Sequence, residues 1–263
     1  MRIFLILLIF LPVFSFAQIN QTDANGLRQG LWEKKQPNGR LLYTGHFKDG
    51  KPVGEWKRFH GGGQVKAIIN YKSSSDTAFT KLFDKYGKKI AEGNFLNQKK
   101  VGNWVYFSKG RKISEEQFAG GLKNGISKQY YETGELMEEV EWKNGKQDGN
   151  FQIFYKNGKP YLQCKMQNNK RNGRCLIYYK NERLQLEAGY KNGLRHGEWK
   201  FFDGKGNFQY QLNYNEGELL NPEVRDSIAA LKMQNLEKNR GRFTDPEKFM
   251  QDPSEYMRKM KIY

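Results

Sequence analysis

The sequence has few of the residues from which enzyme and metal sites are usually built. It contains two cysteines and three histidines, and His46, His60 and His196 lie far from the cysteines along the chain. Zinc ligands usually come in closely spaced pairs, so this spacing matches no zinc site. Gly61-Gly62-Gly63 lacks the Lys-Ser/Thr of a phosphate loop and is typical of a turn. We therefore expect a protein that is not an enzyme and that needs no cofactor or metal ion.

Acidic and aliphatic residues are also scarce. The chain has 45 Lys and Arg against 28 Asp and Glu, which gives a formal net charge of +17. The shortage of aliphatic residues argues against one ordinary large core. In contrast, 28 glycines, 15 tyrosines and 18 phenylalanines are typical of many short strands joined by turns.

The N-terminus has the pattern of a secretion signal. A basic start precedes an apolar run from Ile3 to Phe16, and small residues precede Gln18. The run is shorter than the roughly 20 apolar residues that span a bilayer, and an uncleaved N-terminal anchor is the alternative. The predicted cleavage point lacks the cysteine of a lipoprotein. We expect residues 1–17 to be a signal peptide and the mature protein to be exported, either periplasmic or extracellular.

Internal repeats dominate the remaining sequence. A small residue, here called the anchor, recurs every 24 residues with one interval of 23; the anchors are Gly30, Gly54, Ala78, Gly102, Gly125, Gly149, Gly173 and Gly197. Bulky residues stay in phase with the anchors. Four repeats have a tryptophan two residues after the anchor, namely Trp32, Trp56, Trp104 and Trp199.

Two turn signals separate the β-rich runs of each repeat. One lies about nine residues after the anchor, as at Asn157-Gly158, and the other near residue nineteen, as at Asn192-Gly193. Such pairs accept positive φ and favour β-hairpins. Each repeat should therefore be strand, tight turn, strand, looser turn. The predicted fold is all-β, an elongated single-layer antiparallel meander of about eight 24-residue hairpins over residues 18–221.

A helical C-terminal segment should follow the repeats over residues 222–263. Asn221-Pro222-Glu223 has the pattern of a helix start, and apolar residues then recur at helical spacing, at Val224, Ile228, Leu231 and Leu236. We expect this helix to cap the exposed edge of the last strand. Asp245 and Asp252 repeat the start pattern and predict two further helical turns.

The motif Gly-x-aromatic-Lys-(Asn/Asp)-Gly-x-x-x-Gly recurs in phase, as from Gly45 to Gly54 and, with the first glycine directly before the aromatic residue, from Gly189 to Gly197. In this motif the chain resembles the membrane occupation and recognition nexus (MORN) repeat family, in particular its bacterial variant branch, over about residues 26–221. The resemblance implies a hairpin sheet that acts as a scaffold, a dimerisation element or a lipid-associated platform, without catalysis. Family repeats often have a second glycine two residues after the anchor, where this chain mostly has bulky residues. No lipid-binding residue is therefore carried over.

The two cysteines are candidates for a disulfide. Cys164 and Cys175 are equidistant from a turn midpoint between Asn169 and Lys170, so they should face each other across an antiparallel pair. An exported protein can form this bond. Two buried free thiols are the alternative.

Nine cations fall in the predicted looser turns, which share one long edge of the ribbon; this basic edge comprises Arg28, Lys51, Lys99, Lys100, Lys123, Lys146, Lys170, Arg171 and Arg195. One hypothesis is docking on an anionic surface, either lipid headgroups or a wall polymer. The other is solubility and protection of the sheet edge. Nucleic acid is not expected outside the cytoplasm. The four tryptophans are candidate exposed aromatic residues, because a single layer seldom hides both faces.

These features predict a non-enzymatic binding or scaffold protein of the bacterial cell envelope, which uses its β-ribbon to bind an envelope protein or an anionic surface. A self-associating structural subunit, and hence a homo-oligomer, is the main alternative. A cryptic envelope hydrolase and an antitoxin-like protein are further alternatives, although export places the chain in the wrong compartment for an antitoxin.

Overall fold

The computed structural model describes residues 18–72 and 76–239. The expected signal peptide and the two further helical turns after residue 240 lie outside the described residues. The chain divides between Lys159 and Pro160 into two compact units, here called the N-terminal and C-terminal units.

The described part of the N-terminal unit is a meander of twelve strands, in which consecutive strands pair antiparallel. The strands are β1 (Gln21–Thr22), β2 (Arg28–Lys35), β3 (Leu41–Lys48), β4 (Lys51–Phe59), β5 (Val65–Tyr71), β6 (Thr77–Phe83), β7 (Lys89–Leu96), β8 (Lys99–Ser108), β9 (Arg111–Ala119), β10 (Leu122–Tyr130), β11 (Leu136–Lys143) and β12 (Lys146–Phe154).

The C-terminal unit continues the same hairpin pattern and ends in a helix. It contains β13 (Pro160–Gln167), β14 (Lys170–Tyr178), β15 (Leu184–Lys191), β16 (Leu194–Phe202), β17 (Phe208–Asn215), β18 (Glu218–Leu219) and α1 (Pro222–Lys238). Consecutive strands are again antiparallel. The predicted all-β hairpin repeat with a C-terminal helix is confirmed.

Two kinds of turn alternate, and the prediction of which is tighter is wrong. The turns near residue nineteen of a repeat have only two residues, both with positive φ, as at Asp49 (50°) and Gly50 (75°). The turns near residue nine have five residues, except in the fourth repeat, where Lys109-Gly110 forms a two-residue turn. In Tyr155–Lys159, for example, the Tyr155 N–H donates to the Lys159 carbonyl at 2.8 Å. Gly158 has the predicted positive φ, 79°. An Asn-Gly pair fits either geometry, because both need a left-handed glycine.

A β-bulge marks the anchor glycines. The register between β3 and β4 shifts just after Val53, and Gly54 has a φ of 64°. In the third repeat the anchor is Ala78, and β5 and β6 pair there without any shift. A bulge residue with positive φ favours glycine, so the alanine repeat loses the bulge.

The core is a row of side chains that crosses the strands on one face, here called the inner face. In the N-terminal unit the row runs through Trp32, Gly45, Trp56, Ile69, Thr80, Gly93, Trp104, Glu116, Ser127, Val140 and Phe151, and in the C-terminal unit through Cys164, Cys175, Ala188, Trp199 and Leu212. The ring of Trp56 lies against Gly45 and leaves no room for a Cβ. Gly93 lies against Trp104 in the same way, so glycine at these two positions makes room for the tryptophan ring.

The tryptophans are not exposed, contrary to the prediction. Trp56, Trp104 and Trp199 are 8%, 0% and 7% exposed, and Trp32 is half-buried. Neighbouring rings on the inner face cover them: Phe95 packs edge-on against Trp104 with ring centres 4.9 Å apart. Rings from adjacent strands therefore bury each other without a second layer.

The helix α1 begins at Pro222, as predicted, but covers the last strand only in part. It contacts β17, and Val224 and Ile228 are half-buried. Leu231 and Leu236 remain 60% and 51% exposed, so the expected apolar cover by the second half of the helix is wrong. No helix in the described ranges has both the length and the apolar character to cross a membrane.

Asn221 closes the edge of β17 rather than capping the helix. Its side chain makes no N-cap hydrogen bond. Instead, Oδ1 accepts from the Asn213 N–H at 2.8 Å, and Nδ2 donates to the Gln211 carbonyl at 3.0 Å. The side-chain amide thus continues the ladder that β18 begins.

Candidate functional site

The basic-edge cations lie at the starts of strands rather than in the turns, which corrects the prediction. Eight of the nine occupy the first or second position after a two-residue turn, and Arg28 is the first residue of β2 after the five-residue turn 23–27. The structure brings six of them to one edge of the N-terminal unit and three to one edge of the C-terminal unit. Because successive strand residues point to opposite faces, the two positions have different surroundings.

The second-position cations and Arg28 lie over aromatic rings of the inner face. Their distances to ring centres are 4.9 Å for Arg28 and Trp32, 4.6 Å for Lys100 and Trp104, 4.6 Å for Lys123 and Trp142, 5.3 Å for Arg171 and Tyr190, and 4.9 Å for Arg195 and Trp199. Two of the arginines also donate to tyrosine hydroxyls, Arg171 to Tyr190 at 3.1 Å and Arg195 to Tyr214 at 3.0 Å. Cations over desolvated rings contribute to packing, so this half of the edge supports the fold.

A polar cluster lies among these cations in the N-terminal unit. Lys123 Nζ lies 2.6 Å from Glu116 Oε1, and Lys100 Nζ donates to the Tyr106 hydroxyl at 2.7 Å. Burial lowers the pKa of Lys100, while the Glu116 carboxylate opposes this shift. Burial is also the main reason that the pKa of Tyr106 is raised, and Glu116 adds to it. Sequence reasoning did not predict a role for Glu116. The available signal was the interval of its repeat, which is 23 residues instead of 24.

The first-position lysines are exposed. They are Lys51, Lys99 and Lys146 in the N-terminal unit and Lys170 in the C-terminal unit. The side chain of Lys99 lies across Gly121 of the next two-residue turn, and that of Lys170 across Gly193. Their stems are therefore supported by the sheet edge while the ammonium groups face solvent.

Most basic-edge cations lack an ion pair in the described ranges, whereas several cations along the strands have one. Along the strands many cations have a carboxylate partner: Lys57 with Glu55, Lys89 with Glu92, Lys112 with Glu115, Lys128 with Glu139, Arg174 with Glu187, and Lys200 with Glu198. Of the nine edge cations, Lys123 alone has such a partner within the described part of the chain. The edge thus keeps most of its positive charge uncompensated.

The structure joins Cys164 and Cys175 in a disulfide with an S–S distance of 2.07 Å. The residues lie directly opposite each other in β13 and β14 and are 5% and 3% exposed. Cys175 holds the position that Trp199 holds in the next repeat. The bond therefore replaces an aromatic contact in the buried row.

Metal-binding groups are not found in the described ranges, where no three His, Cys, Asp or Glu side chains are grouped suitably for an ion. The candidate functional site is the basic edge.

A sequence model of the MORN repeat variant family matches four segments of the chain, residues 52–73, 123–144, 147–168 and 195–216. A search of curated proteins finds no significant match. Among solved structures, the chain is similar to part of the GtfA/B complex, at 14% identity over 34% of this chain and 18% of that chain with a TM-score of 0.26. It is also similar to part of TarM from S. aureus, at 16% identity over 49% of this chain and 22% of that chain with a TM-score of 0.22. The chain thus spans less than a quarter of either protein, and these TM-scores are too low to indicate a shared overall fold.

The four family matches fall in phase with the hairpins, and the recurring spacing of glycine and aromatic residues has a structural cause in the buried row. The chain therefore contains repeats that match the MORN repeat variant.

Proposed function

We propose that this protein is a non-enzymatic binding scaffold of the bacterial cell envelope that docks on an anionic surface through its basic edge. The repeats support a binding or scaffold role. The N-terminal sequence pattern supports export. The observation that carries the choice of partner is the uncompensated charge of the basic edge, in contrast to the paired cations along the strands.

Periodic placement makes these charges act together. In a meander, equivalent positions of successive hairpins recur two strands apart, about 10 Å. This is close to the Debye length at 0.1 M salt, about 10 Å, so cations of successive hairpins add to one potential near the edge. The first-position lysines Lys51, Lys99 and Lys146 themselves lie four strands apart, about 20 Å, and Lys123 lies between the last two. A lysine near an anionic membrane contributes about 1 kcal/mol of attraction, and several such contacts are enough for reversible docking.

The contacts should come from the first-position lysines, because the second-position cations are engaged with rings. The test is cosedimentation of the mature protein with vesicles of phosphatidylglycerol and phosphatidylcholine, and with vesicles of phosphatidylcholine alone. The edge variant combines Lys51→Glu, Lys99→Glu, Lys146→Glu and Lys170→Glu. A control variant changes the same amount of charge at the opposite ends of the strands, with Lys85→Glu, Lys156→Glu, Lys180→Glu and Lys205→Glu.

The wild type and the control variant should pellet with the anionic vesicles at 0.1 M salt and not with the neutral ones. The edge variant should stay in solution, as should the wild type at 1 M salt, where the Debye length is about 3 Å. Equal loss in the two variants would show that only net charge matters. A wild type that pellets with purified wall polymer but not with vesicles identifies the polymer as the surface, and one that pellets with neither refutes docking. Export is tested separately by N-terminal sequencing of the native protein, which should begin at Gln18.

A further inference from the structure

The fourth repeat is one residue shorter than its neighbours, and its turn differs accordingly. At this edge of the strands the other described turns have five residues. In the fourth repeat Ser108 pairs with Arg111 across the two-residue turn Lys109-Gly110, with φ of 51° and 77°. Five-residue loops at 84–88 and 131–135 flank this short turn, so the edge has a notch there.

A side-chain hydrogen bond that links neighbouring loops elsewhere, here called the tie, is missing on one side of the notch. In three loops the first residue is linked by its side chain to the carbonyl twenty-three residues later: His60 to Phe83 at 3.0 Å, Tyr131 to Phe154 at 2.7 Å and Tyr179 to Phe202 at 2.9 Å. The equivalent residue before the notch is Asp84, whose carboxylate cannot donate to the Phe107 carbonyl. Its Oδ1 instead accepts from the N–H groups of Tyr86 and Lys88, both at 2.9 Å.

A cavity of about 450 Å³ opens where the tie is missing, lined by Lys88, Lys89, Phe107, Lys109 and Gly110. Three of the five lining residues are lysines and none is acidic. Lys89 Nζ lies 4.0 Å from the centre of the Phe107 ring and 3.0 Å from Glu92. Lys109 Nζ lies 3.8 Å from Glu132, a pair in which both side chains are more than 80% exposed. Lys88 has no ion pair within the described part of the chain.

We propose that this notch binds a phosphomonoester, with the phosphate among Lys88, Lys89 and Lys109 and its organic group against Phe107. Coulomb attraction scales with the product of the charges, so three lysines around one pocket favour a compact dianion over a single carboxylate. Each ammonium also offers up to three donors to phosphate oxygens. The pocket is shallow and open to solvent, and its volume of about 450 Å³ is enough for a small phosphomonoester. The site is at the opposite edge from the basic edge and does not depend on the proposed docking.

The ligand class is tested by titrating the ¹⁵N-labelled mature protein with phenyl phosphate, inorganic phosphate and phenol, monitored by amide chemical shifts. Phenyl phosphate should shift the amides of Lys88, Lys109 and Gly110 saturably, inorganic phosphate should shift the same amides with weaker affinity, and phenol should not. Equal affinity for phenyl phosphate and inorganic phosphate would overturn the phosphomonoester assignment. Shifts spread over lysine amides throughout the protein would overturn the site.

Two variants test the residues and the shape of the notch. Lys88→Gln combined with Lys109→Gln should weaken phenyl phosphate binding about tenfold, since each exposed charge contributes a few-fold. The control, Lys156→Gln with Lys180→Gln, removes the same charge from the same edge and should change nothing. The second variant replaces residues 108–111 by the five residues found at 155–159, Tyr-Lys-Asn-Gly-Lys, which keeps two cations and lengthens the turn. It should lose binding while keeping the wild-type circular dichroism spectrum. Unchanged affinity in this variant or in the Lys88/Lys109 pair, or equal loss in the control, would overturn the proposal.

Discussion

Lys99 and Lys100 are adjacent, identical in type and part of the same basic edge, yet the structure gives them different roles. Lys99 faces solvent. Lys100 is half-buried, with Nζ 4.6 Å from the ring centre of Trp104 and 5.0 Å from that of Phe118. We predict that Lys100→Glu destabilises the fold by about 2–4 kcal/mol, while Lys99→Glu changes stability by less than about 0.5 kcal/mol.

The magnitude for Lys100 follows from its contacts. A partly desolvated cation–π contact contributes roughly 0.5–2 kcal/mol, and the hydrogen bond from a charged donor to the Tyr106 hydroxyl about 1.5–3 kcal/mol before losses from incomplete burial. Reversal also places a carboxylate near Glu116, which now acts favourably on the lysine. Lys100→Met keeps the apolar stem and should cost only about 1–2 kcal/mol, because the packing contribution remains.

The assay is urea unfolding at pH 7 followed by far-ultraviolet circular dichroism, with all variants at the same salt concentration. The midpoint should order as wild type and Lys99→Glu, then Lys100→Met, then Lys100→Glu. Equal destabilisation by the two glutamate variants would refute the assignment of alternate edge cations to opposite faces.

Three further outcomes are expected. Gly158→Val should lower the free energy of unfolding by about 1–2 kcal/mol in urea titration, because a β-branched residue tolerates the φ of 79° poorly; an unchanged midpoint would count against this turn. Native protein alkylated without reductant should gain no mass at Cys164 or Cys175, and two alkylated thiols would rule out the bond in the exported protein. Trp104→Ala should cost about 3–5 kcal/mol, since the side chain is fully buried, and a loss as small as that of Trp32→Ala would contradict the buried row.

The repeat period determined most of the fold in advance, because glycine turns and aromatic columns recur in phase. The pairing of the two cysteines was also predicted, but partly because two errors cancelled. The turn is centred between Asn168 and Asn169, one residue earlier than expected, since Gln167 pairs with Lys170. From that turn alone Cys164 would face Gly173. The bulge at this anchor glycine shifts the register by two residues and restores the pairing with Cys175.

The faces of the basic edge could not be predicted from the sequence. The face that a side chain occupies depends on whether it lies an odd or an even number of residues from the turn. The sequence predicts the wrong turn of each repeat to be the two-residue one. The sequence therefore does not distinguish Lys99, whose side chain lies across the next turn, from Lys100, whose ammonium group lies over aromatic rings. The burial of Trp104 was missed because a single layer was assumed to leave its rings exposed, whereas rings from neighbouring strands cover one another.

The third and fourth repeats depart from the repeat pattern in different ways, and the two departures differ in what they change. The third has alanine at the anchor and Thr80 in the tryptophan column, and the missing bulge follows directly from the anchor. Its irregularity therefore has a local structural cause. The fourth repeat keeps its anchor glycine and its tryptophan, but the shorter interval places Glu116 opposite Trp104 in the buried row. The deletion falls on the loop edge, where it exposes Lys88 and Lys109 around Phe107. A change that keeps the buried tryptophan and opens a basic pocket at the loop edge is the kind expected of a binding site on a repeat scaffold.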